Sequence, residues 1–155
     1  MKKVLFTVLL LILLLASTAC ADEDRWSLCC IADDGEEYYI DRWTIKQVTK
    51  DDITRFWVKR VVSAKSRNIY IAEAKSKSEK KSLSQLAEIK ECKEISLKNN
   101  TIRTIAQHAY DSKGRVIHSF SNDYTNWRRI VPDSIGELLR EKIEVINFIN
   151  SLVLK

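Results

Sequence analysis

Three of the four cysteines lie beyond the predicted signal peptide, and they are the residues of this chain with the most distinctive chemistry. Cys29 and Cys30 are adjacent, and Cys92 lies far downstream. Neighbouring residues of a strand face opposite sides, so only one of the adjacent pair can meet Cys92. In an oxidising compartment we predict a bridge between Cys30 and Cys92, with an intermolecular bridge or buried free thiols as the alternatives. The chain has no C-x-x-C pair, so the pattern does not indicate a redox centre.

Histidines and catalytic motifs are sparse. His108 and His118 fall on neighbouring predicted strands and could approach each other. No third ligand accompanies them, so we predict packing or surface histidines and no metal. The chain lacks the G-x-S-x-G and H-E-x-x-H motifs, and its three glycines fall in predicted turns or in the first turn of a helix rather than in a phosphate-binding loop. We therefore predict a protein that is not an enzyme and holds no cofactor.

Aromatic side chains are the other candidate for a site. Trp43, Trp57 and Trp127 could line an exposed face and form a binding patch. Arg128 and Arg129 would supply its polar rim. Core packing is the commoner role of tryptophan and is the alternative for all three, while solvated surface charge is the alternative for the two arginines.

A lysine-rich segment, KSKSEKKS at residues 75–82, contains no apolar residue. Such composition is typical of a solvated loop, which we predict here. A contact with heparin or with extracellular matrix is the alternative. Just before it, residues 68–72 favour either a short strand or the start of a helix.

The N-terminus has the organisation of an export signal. Two lysines precede an apolar run at residues 4–15, and small residues occupy the positions recognised for cleavage. The run is shorter than the ~20 residues of a spanning helix. We predict a cleaved signal peptide of residues 1–21 and one mature domain of residues 22–155. Acylation of Cys20 is an alternative that would attach the protein to a membrane, although Ser17 stands where lipoproteins prefer a larger aliphatic residue.

The charge balance is mildly basic. The formal net charge is +5, and it falls by two once Lys2 and Lys3 are removed with the signal peptide. Such a small excess does not indicate a nucleic-acid partner. The length of the mature chain suits a single domain with a substantial core.

Alternation in residues 26–32, and runs rich in residues that favour strands elsewhere, predict about six strands. Turn residues such as Asp33-Asp34-Gly35 separate them. The predicted strands cover residues 26–32, 37–45, 54–63, 86–97, 101–110 and 115–120. Consecutive short connections favour antiparallel pairing, so the predicted class is α+β.

One long helical pattern follows Pro132. Ser134, with Glu137 three residues later, has the form of a capping box. Apolar residues of this helix recur on one broad arc. They are Ile135, Leu138, Leu139, Ile143, Val145, Ile146, Ile149, Leu152 and Val153. We predict that this C-terminal helix packs on one face of the antiparallel sheet.

Several short motifs stand in a characteristic order along the chain. They are Trp26, YYID at 38–41, FWVK at 56–59, Cys92, YDSKGRVI at 110–117, Trp127 and IVPDSIGE at 130–137. This series resembles the surface-adhesin E family of bacterial envelope proteins. The resemblance implies a curved antiparallel sheet packed by one C-terminal helix, export to the envelope and, for the member that gives the family its name, binding of host extracellular-matrix proteins and plasminogen. Members often carry a cysteine in or after the helix that ties it to the sheet, and this helix has none.

The sequence thus predicts an exported, non-enzymatic envelope protein that acts as a protein-binding or adhesion module, through its sheet face or its lysine-rich segment. A host extracellular-matrix protein is the partner that the resemblance implies, and a homodimer is left open. The alternative is a periplasmic envelope-assembly or housekeeping module, in which an exposed sheet edge takes up a partner strand. The expected location is the periplasm, or the outer membrane and cell surface, with membrane attachment only if Cys20 is acylated.

Overall fold

The computed structural model describes residues 25–48, 52–121 and 126–153. The predicted signal peptide and Cys20 lie outside these ranges. Within them, eight strands form one sheet, which three helices accompany. The strands are β1 (Trp26–Ile31), β2 (Glu37–Asp41), β3 (Lys46–Gln47), β4 (Ile53–Val61), β5 (Leu86–Ser96), β6 (Thr101–Asp111), β7 (Val116–Ser121) and β8 (Arg128–Arg129). The helices are α1 (Ala64–Glu73), α2 (Lys77–Leu83) and α3 (Ile135–Val153).

The sheet is antiparallel in every pairing, with the order β1-β2-β4-β5-β6-β7. The short strands β3 and β8 extend it beside β4 and β6. Strands β1 and β7 form its two edges, and β4 and β5 form its centre. The predicted α+β class is confirmed, with an antiparallel sheet of six main strands and a C-terminal helix.

The lysine-rich segment at residues 75–82 is solvated as predicted, but most of it is helix α2 rather than a loop. Ser76 Oγ accepts a hydrogen bond from the N–H of Glu79 at 3.1 Å, and the Glu79 carboxylate accepts one from the N–H of Lys75 at 2.8 Å. This reciprocal cap satisfies N–H groups that the first helical turn leaves free. Residues 68–72, for which the sequence predicts either a short strand or the start of a helix, lie in helix α1, which is capped by Ser63.

Helix α3 begins at the predicted capping box. Ser134 Oγ accepts a hydrogen bond from the N–H of Glu137 at 3.3 Å. The Glu137 carboxylate accepts one in return from the N–H of Asp133 at 2.7 Å. The two bonds fix the start of the helix and its angle to the sheet.

Helix α3 buries a narrower stripe than its apolar residues predict. Leu139, Ile143 and Ile146 recur about once per turn and pack in the core. Other apolar residues of the predicted arc remain exposed, namely Leu138, Val145, Ile149 and Leu152. In the ranges that the structure covers, none of the helices is long and apolar enough to cross a membrane.

The helices pack on one side of the sheet, here called the helix face, and the opposite side is called the open face. Helix α3 covers a cluster made of Ile40, Phe56, Val58, Ile95, Ile130, Leu139, Ile143 and Ile146. Helices α1 and α2 cover a second cluster made of Val62, Leu86, Ile89 and Ala109, against which Tyr70 and Leu83 pack. Alternate residues of a strand face opposite sides, so Trp57, between two buried residues of β4, lies on the open face.

A buried polar network lies between the two clusters. The carboxylate of Glu36, which is 1% exposed, accepts hydrogen bonds from Arg60 Nη2 at 2.7 Å, Tyr70 Oη at 3.0 Å and Tyr38 Oη at 3.1 Å. Burial raises the pKa of Tyr38, so its hydroxyl remains a donor. Three donors therefore satisfy the buried carboxylate, and they join α1 to β2 and β4.

Candidate functional site

The open face carries a row of side chains that lie directly opposite one another across four strands. Tyr39 of β2 pairs with Lys59 of β4. Lys59 in turn pairs with Lys90 of β5, and Lys90 with His108 of β6. We call these four residues the lysine row. Like charges directly opposite one another weaken a sheet, so Lys59 and Lys90 need another group to compensate them.

Aromatic rings surround the two lysines. Lys59 Nζ lies 4.8 Å from the centroid of the Trp26 ring and 4.8 Å from that of Tyr39. Lys90 Nζ lies 5.0 Å from the centroid of the Tyr110 ring and 5.8 Å from that of Trp26. A cation at such a distance over a ring face is attracted by the ring quadrupole. The centre of the open face is therefore a surface of cations held against aromatic rings.

Trp57 lies beside the lysine row. Its ring stacks on that of His108, with the centroids 5.8 Å apart and the planes 17° from parallel. Thr44 Oγ1 accepts a hydrogen bond from the N–H of Trp57 at 3.1 Å, which holds the β2–β3 connection against β4. His108 Nδ1 lies 2.9 Å from Ser119 Oγ. These contacts fix the orientation of both rings.

A second basic row closes the far end of the open face. Lys46, Arg55, Glu94 and Arg103 lie opposite one another on β3, β4, β5 and β6, and we call them the arginine row. Arg55 Nε and Arg103 Nε donate to the two oxygens of Glu94 at 2.9 and 2.8 Å. The Cζ atom of Arg103 is 4.7 Å from the centroid of the Trp127 ring. The row thus places Trp127 at the end of the same face.

The arginine row makes the stability of the domain depend on pH. Burial opposes ionisation of Glu94, but hydrogen bonds from Arg55 and Arg103 outweigh it and hold the pKa of Glu94 below its ordinary value of 4.5. The unfolded chain therefore takes up a proton first as the pH falls. The stabilisation by Glu94 is complete above pH 4.5 and is lost as the pH falls through the folded-state pKa.

Glu94→Gln tests this dependence. At pH 7 the substitution is expected to lower the free energy of unfolding in urea by about 2 kcal/mol, because it weakens two charge-assisted hydrogen bonds. The difference between variant and wild type should shrink in acid, since wild type then loses what the variant already lacks. Glu88→Gln on the same strand, a partly exposed partner of Lys90, is the control and should cost less than about 1 kcal/mol. A Glu94→Gln difference that is constant with pH would contradict the assignment.

The five residues of the predicted binding patch do not form one continuous surface. Trp57 and Trp127 lie at the centre and at the far end of the open face. Trp43 is 65% exposed in the turn after β2, so core packing is wrong for it. Arg128 and Arg129 form β8 and face opposite sides of the sheet. Arg128 lines a cleft beside α3, which places it on the helix face.

Sequence patterns did not identify the lysine row. Alternation along β4 places Lys59 on the same side as Trp57, which was the available signal. Two helices separate β4 from β5 in the sequence, so local patterns do not show that Lys90 lies opposite Lys59. The site therefore emerges only from the pairing of the strands.

The fold places Cys30 and Cys92 too far apart for the predicted bridge. Strands β2 and β4 lie between β1 and β5, so roughly 14 Å separates the two positions, whereas a disulfide needs Cα atoms within roughly 7 Å. An irregular pairing after Leu28 turns both Cys29 and Cys30 towards the helix face, while Cys92 lies opposite Trp57 on the open face. All three are free thiols, and burial raises the pKa of Cys29 to about 12.

The two histidines do not share a site. His118 pairs with Ala109 of the helix-face cluster, whereas His108 belongs to the open face. In the part of the chain that the structure covers, no group of three or more His, Cys, Asp and Glu side chains is placed to hold a metal ion.

A cleft of about 620 Å³ lies on the helix face beside the start of α3. Charged groups on its wall pair with neighbouring carboxylates. Lys93 Nζ lies 3.2 Å from Glu91 Oε2, and Arg60 binds Glu36. These ion pairs account for the positions of Lys93 and Arg60.

Comparisons with known proteins identify one family model and one solved structure that are similar to this chain. Residues 26–143 match the family model described as surface-adhesin protein E. The crystal structure of protein E from non-typeable Haemophilus influenzae is similar, with a TM-score of 0.41 and 14% sequence identity over 67% of this chain. The matched region spans 66% of the length of that protein. No curated protein matches the sequence.

Proposed function

The chain belongs to the surface-adhesin protein E family, and we propose that it is an exported, non-enzymatic envelope protein that binds a protein partner through its open face. The observation that supports this is the open face itself, where aromatic rings and cations lie together while the helices pack on the other side. Aromatic and arginine side chains contribute most of the energy at protein interfaces. A host extracellular-matrix protein is the partner that we propose.

The charge of the open face favours an acidic partner. The lysine row holds two lysines and no carboxylate. A field of one sign speeds association with a partner of the opposite sign. We expect binding to weaken as salt rises, because exposed charges are screened beyond a Debye length of about 8 Å at physiological ionic strength.

Trp43 borders the open face, because the guanidinium group of Arg25 lies over its ring and over that of Trp26. Trp43→Ala is expected to weaken binding to an immobilised matrix protein by about tenfold or more, because interfacial tryptophans that are hot spots contribute about 2 kcal/mol. Surface plasmon resonance with purified residues 22–155 and a panel of matrix proteins measures this. Val131→Ala, which changes a residue 62% exposed just before α3, is the control and should bind as wild type does. Equal affinity of Trp43→Ala and wild type would contradict an interface at this part of the molecule.

We also propose that the chain forms a homodimer through the exposed stripe of α3. Leu138, Val145 and Leu152 recur every seven residues, and Phe148 and Ile149 lie between them, all exposed. A seven-residue apolar repeat is the pattern of paired helices. Helix α3 also contacts β1, an edge strand of the sheet. A second copy related by two-fold symmetry can cover the stripe and the edge together.

Val145→Glu is expected to convert this dimer to a monomer, because it places a charge in the centre of the apolar stripe. Sedimentation velocity measures the change. Asn150→Glu adds the same charge to an exposed position of the same helix outside the repeat, and this control should remain dimeric. A monomeric wild-type protein would rule the proposal out.

The second candidate function is a periplasmic envelope-assembly module. Strands β1 and β7 end the sheet, and the backbone groups of an edge strand can pair with a strand of a partner. For both candidate functions we propose cleavage after residue 21. The alternative is acylation of Cys20, which would hold the chain at a membrane. Exposure on intact cells separates the two functions.

A further inference from the structure

The lysine row contains a positive charge that its neighbours compensate only in part. Lys90 Nζ lies 3.1 Å from Glu88 Oε1. For Lys59, the residues that the structure covers offer aromatic rings and no carboxylate within ion-pair distance. The two ammonium groups share the Trp26 ring, at 4.8 and 5.8 Å from its centroid. A bound anion would relieve the repulsion between these two lysines.

The two lysines face a shallow cleft of about 340 Å³. This volume falls within the roughly 300–1,000 Å³ of small-ligand sites. Trp26, Trp57 and Tyr110 supply aromatic walls. Two carboxylates also line the cleft, Asp41, which is bound by Arg25, and Glu88, which is paired with Lys90. The cleft therefore combines aromatic surface with three cations and two paired carboxylates, which leaves a net positive charge at the lysines.

We propose that this cleft binds an anionic sugar unit of an acidic polysaccharide, with its sulfate or carboxylate group between Lys59 and Lys90 and its ring against Trp26. Ammonium groups are compact charges that hold anionic oxygens through charge-assisted hydrogen bonds. An aromatic wall suits the flat, largely C–H surface of a sugar ring, which an acidic peptide side chain does not offer. The inference rests on the proposed function only in its use of the same open face.

A second group of cations fits a chain with repeated anionic groups. Arg55 precedes Lys59 by four residues on β4, which separates the arginine row from the lysine row by roughly 13 Å along the strand. Lys46, Arg55 and Arg103 lie in that row beside Glu94. A polysaccharide that crosses the open face would meet basic side chains at both rows.

Isothermal titration of purified residues 22–155 with a heparin-derived oligosaccharide tests the proposal. Lys59→Met with Lys90→Met keeps the apolar stems of both side chains and removes their charges. This double variant should lose at least about tenfold in affinity. Lys59→Arg with Lys90→Arg should retain binding. Lys80→Met with Lys81→Met makes the same charge change on α2, off the open face, and should bind as wild type does.

Each outcome decides between supporting and overturning the proposal. Loss of affinity only in the Lys80 and Lys81 variant would place the site on α2 and overturn it, as would a wild-type protein that does not bind the oligosaccharide. Loss of oligosaccharide binding with retained matrix-protein binding in the Lys59 and Lys90 variant supports the sugar site and shows that the lysine row is not part of the protein interface. If the wild-type protein binds the matrix protein but not the oligosaccharide, this inference is overturned and the proposed function is not affected. Thermal melts verify folding, and Lys59→Gln alone, with the same expected direction, replaces the double variant if that variant unfolds.

Discussion

Replacement of Leu139 by aspartate is expected to leave the domain unfolded. Leu139 is 1% exposed and packs in the cluster under α3 with Phe56 and Ile95. Truncation of such a leucine to alanine costs about 2–5 kcal/mol. An unpaired carboxylate in the same place adds several kcal/mol more. Since the total stability of a domain is about 5–15 kcal/mol, the substitution removes most or all of it.

An exposed residue of the same helix outside the seven-residue repeat provides the control. Asn150 is exposed, so Asn150→Asp should change the free energy of unfolding by less than about 1 kcal/mol. Helix α3 contains no cysteine, so its docking depends on burial of the stripe that contains Leu139. Circular dichroism melts of both variants measure the difference. A folded Leu139→Asp protein with a melting temperature near that of wild type would show that α3 does not hold the sheet together.

Glu36→Ala is expected to lower the free energy of unfolding by about 3–5 kcal/mol. The substitution removes the acceptor shared by Arg60, Tyr38 and Tyr70. Arg60 would then lie in a largely buried position with Glu91, 3.8 Å away, as its remaining carboxylate. Removal of one partner from a buried ion pair costs this much because the remaining charge stays out of water.

Two further variants separate the network from simple loss of a carboxylate. Glu37→Ala changes the next residue along the chain, which is partly exposed and bound to Tyr39, and should cost less than about 1 kcal/mol. Combining Glu36→Leu with Arg60→Met removes both charges and should recover much of the lost stability. Urea titrations measure all three. Equal losses for Glu36→Ala and Glu37→Ala would refute the assignment of a stabilising buried network.

The fold was predictable where local pattern and tertiary packing agree. The apolar run Phe56-Trp57-Val58, with large side chains for both faces of a strand, predicted β4, and the helix start at Ser134 and Glu137 carried its own cap. Strand lengths and turns such as Asn99-Asn100 then favoured antiparallel pairing, which the sheet has. These features depend on residues close together in sequence, so the sequence alone was sufficient.

Features that depend on strand order could not be predicted. The bridge between Cys30 and Cys92 failed because two strands separate their own, and because an irregular pairing in β1 turned the adjacent thiols to the same side. The five residues of the predicted binding patch also lie apart, because strand order and strand pairing decide where each one falls on the sheet. Helix α2 was not predicted because Leu83 is its one apolar residue, so the sequence shows no helical apolar pattern there. The lysine row could be predicted only with knowledge of the register of β4 against β5.

Exposure of the protein on intact cells tests the central claim of a surface-located binding domain most directly. Living cells are treated with trypsin and the protein is followed by immunoblot, with a periplasmic protein as the control for an intact envelope. The account predicts that the protein is cleaved while the periplasmic control is not. A protein that survives on intact cells, yet is cleaved after the cells are lysed, would contradict the adhesin function and favour the periplasmic module.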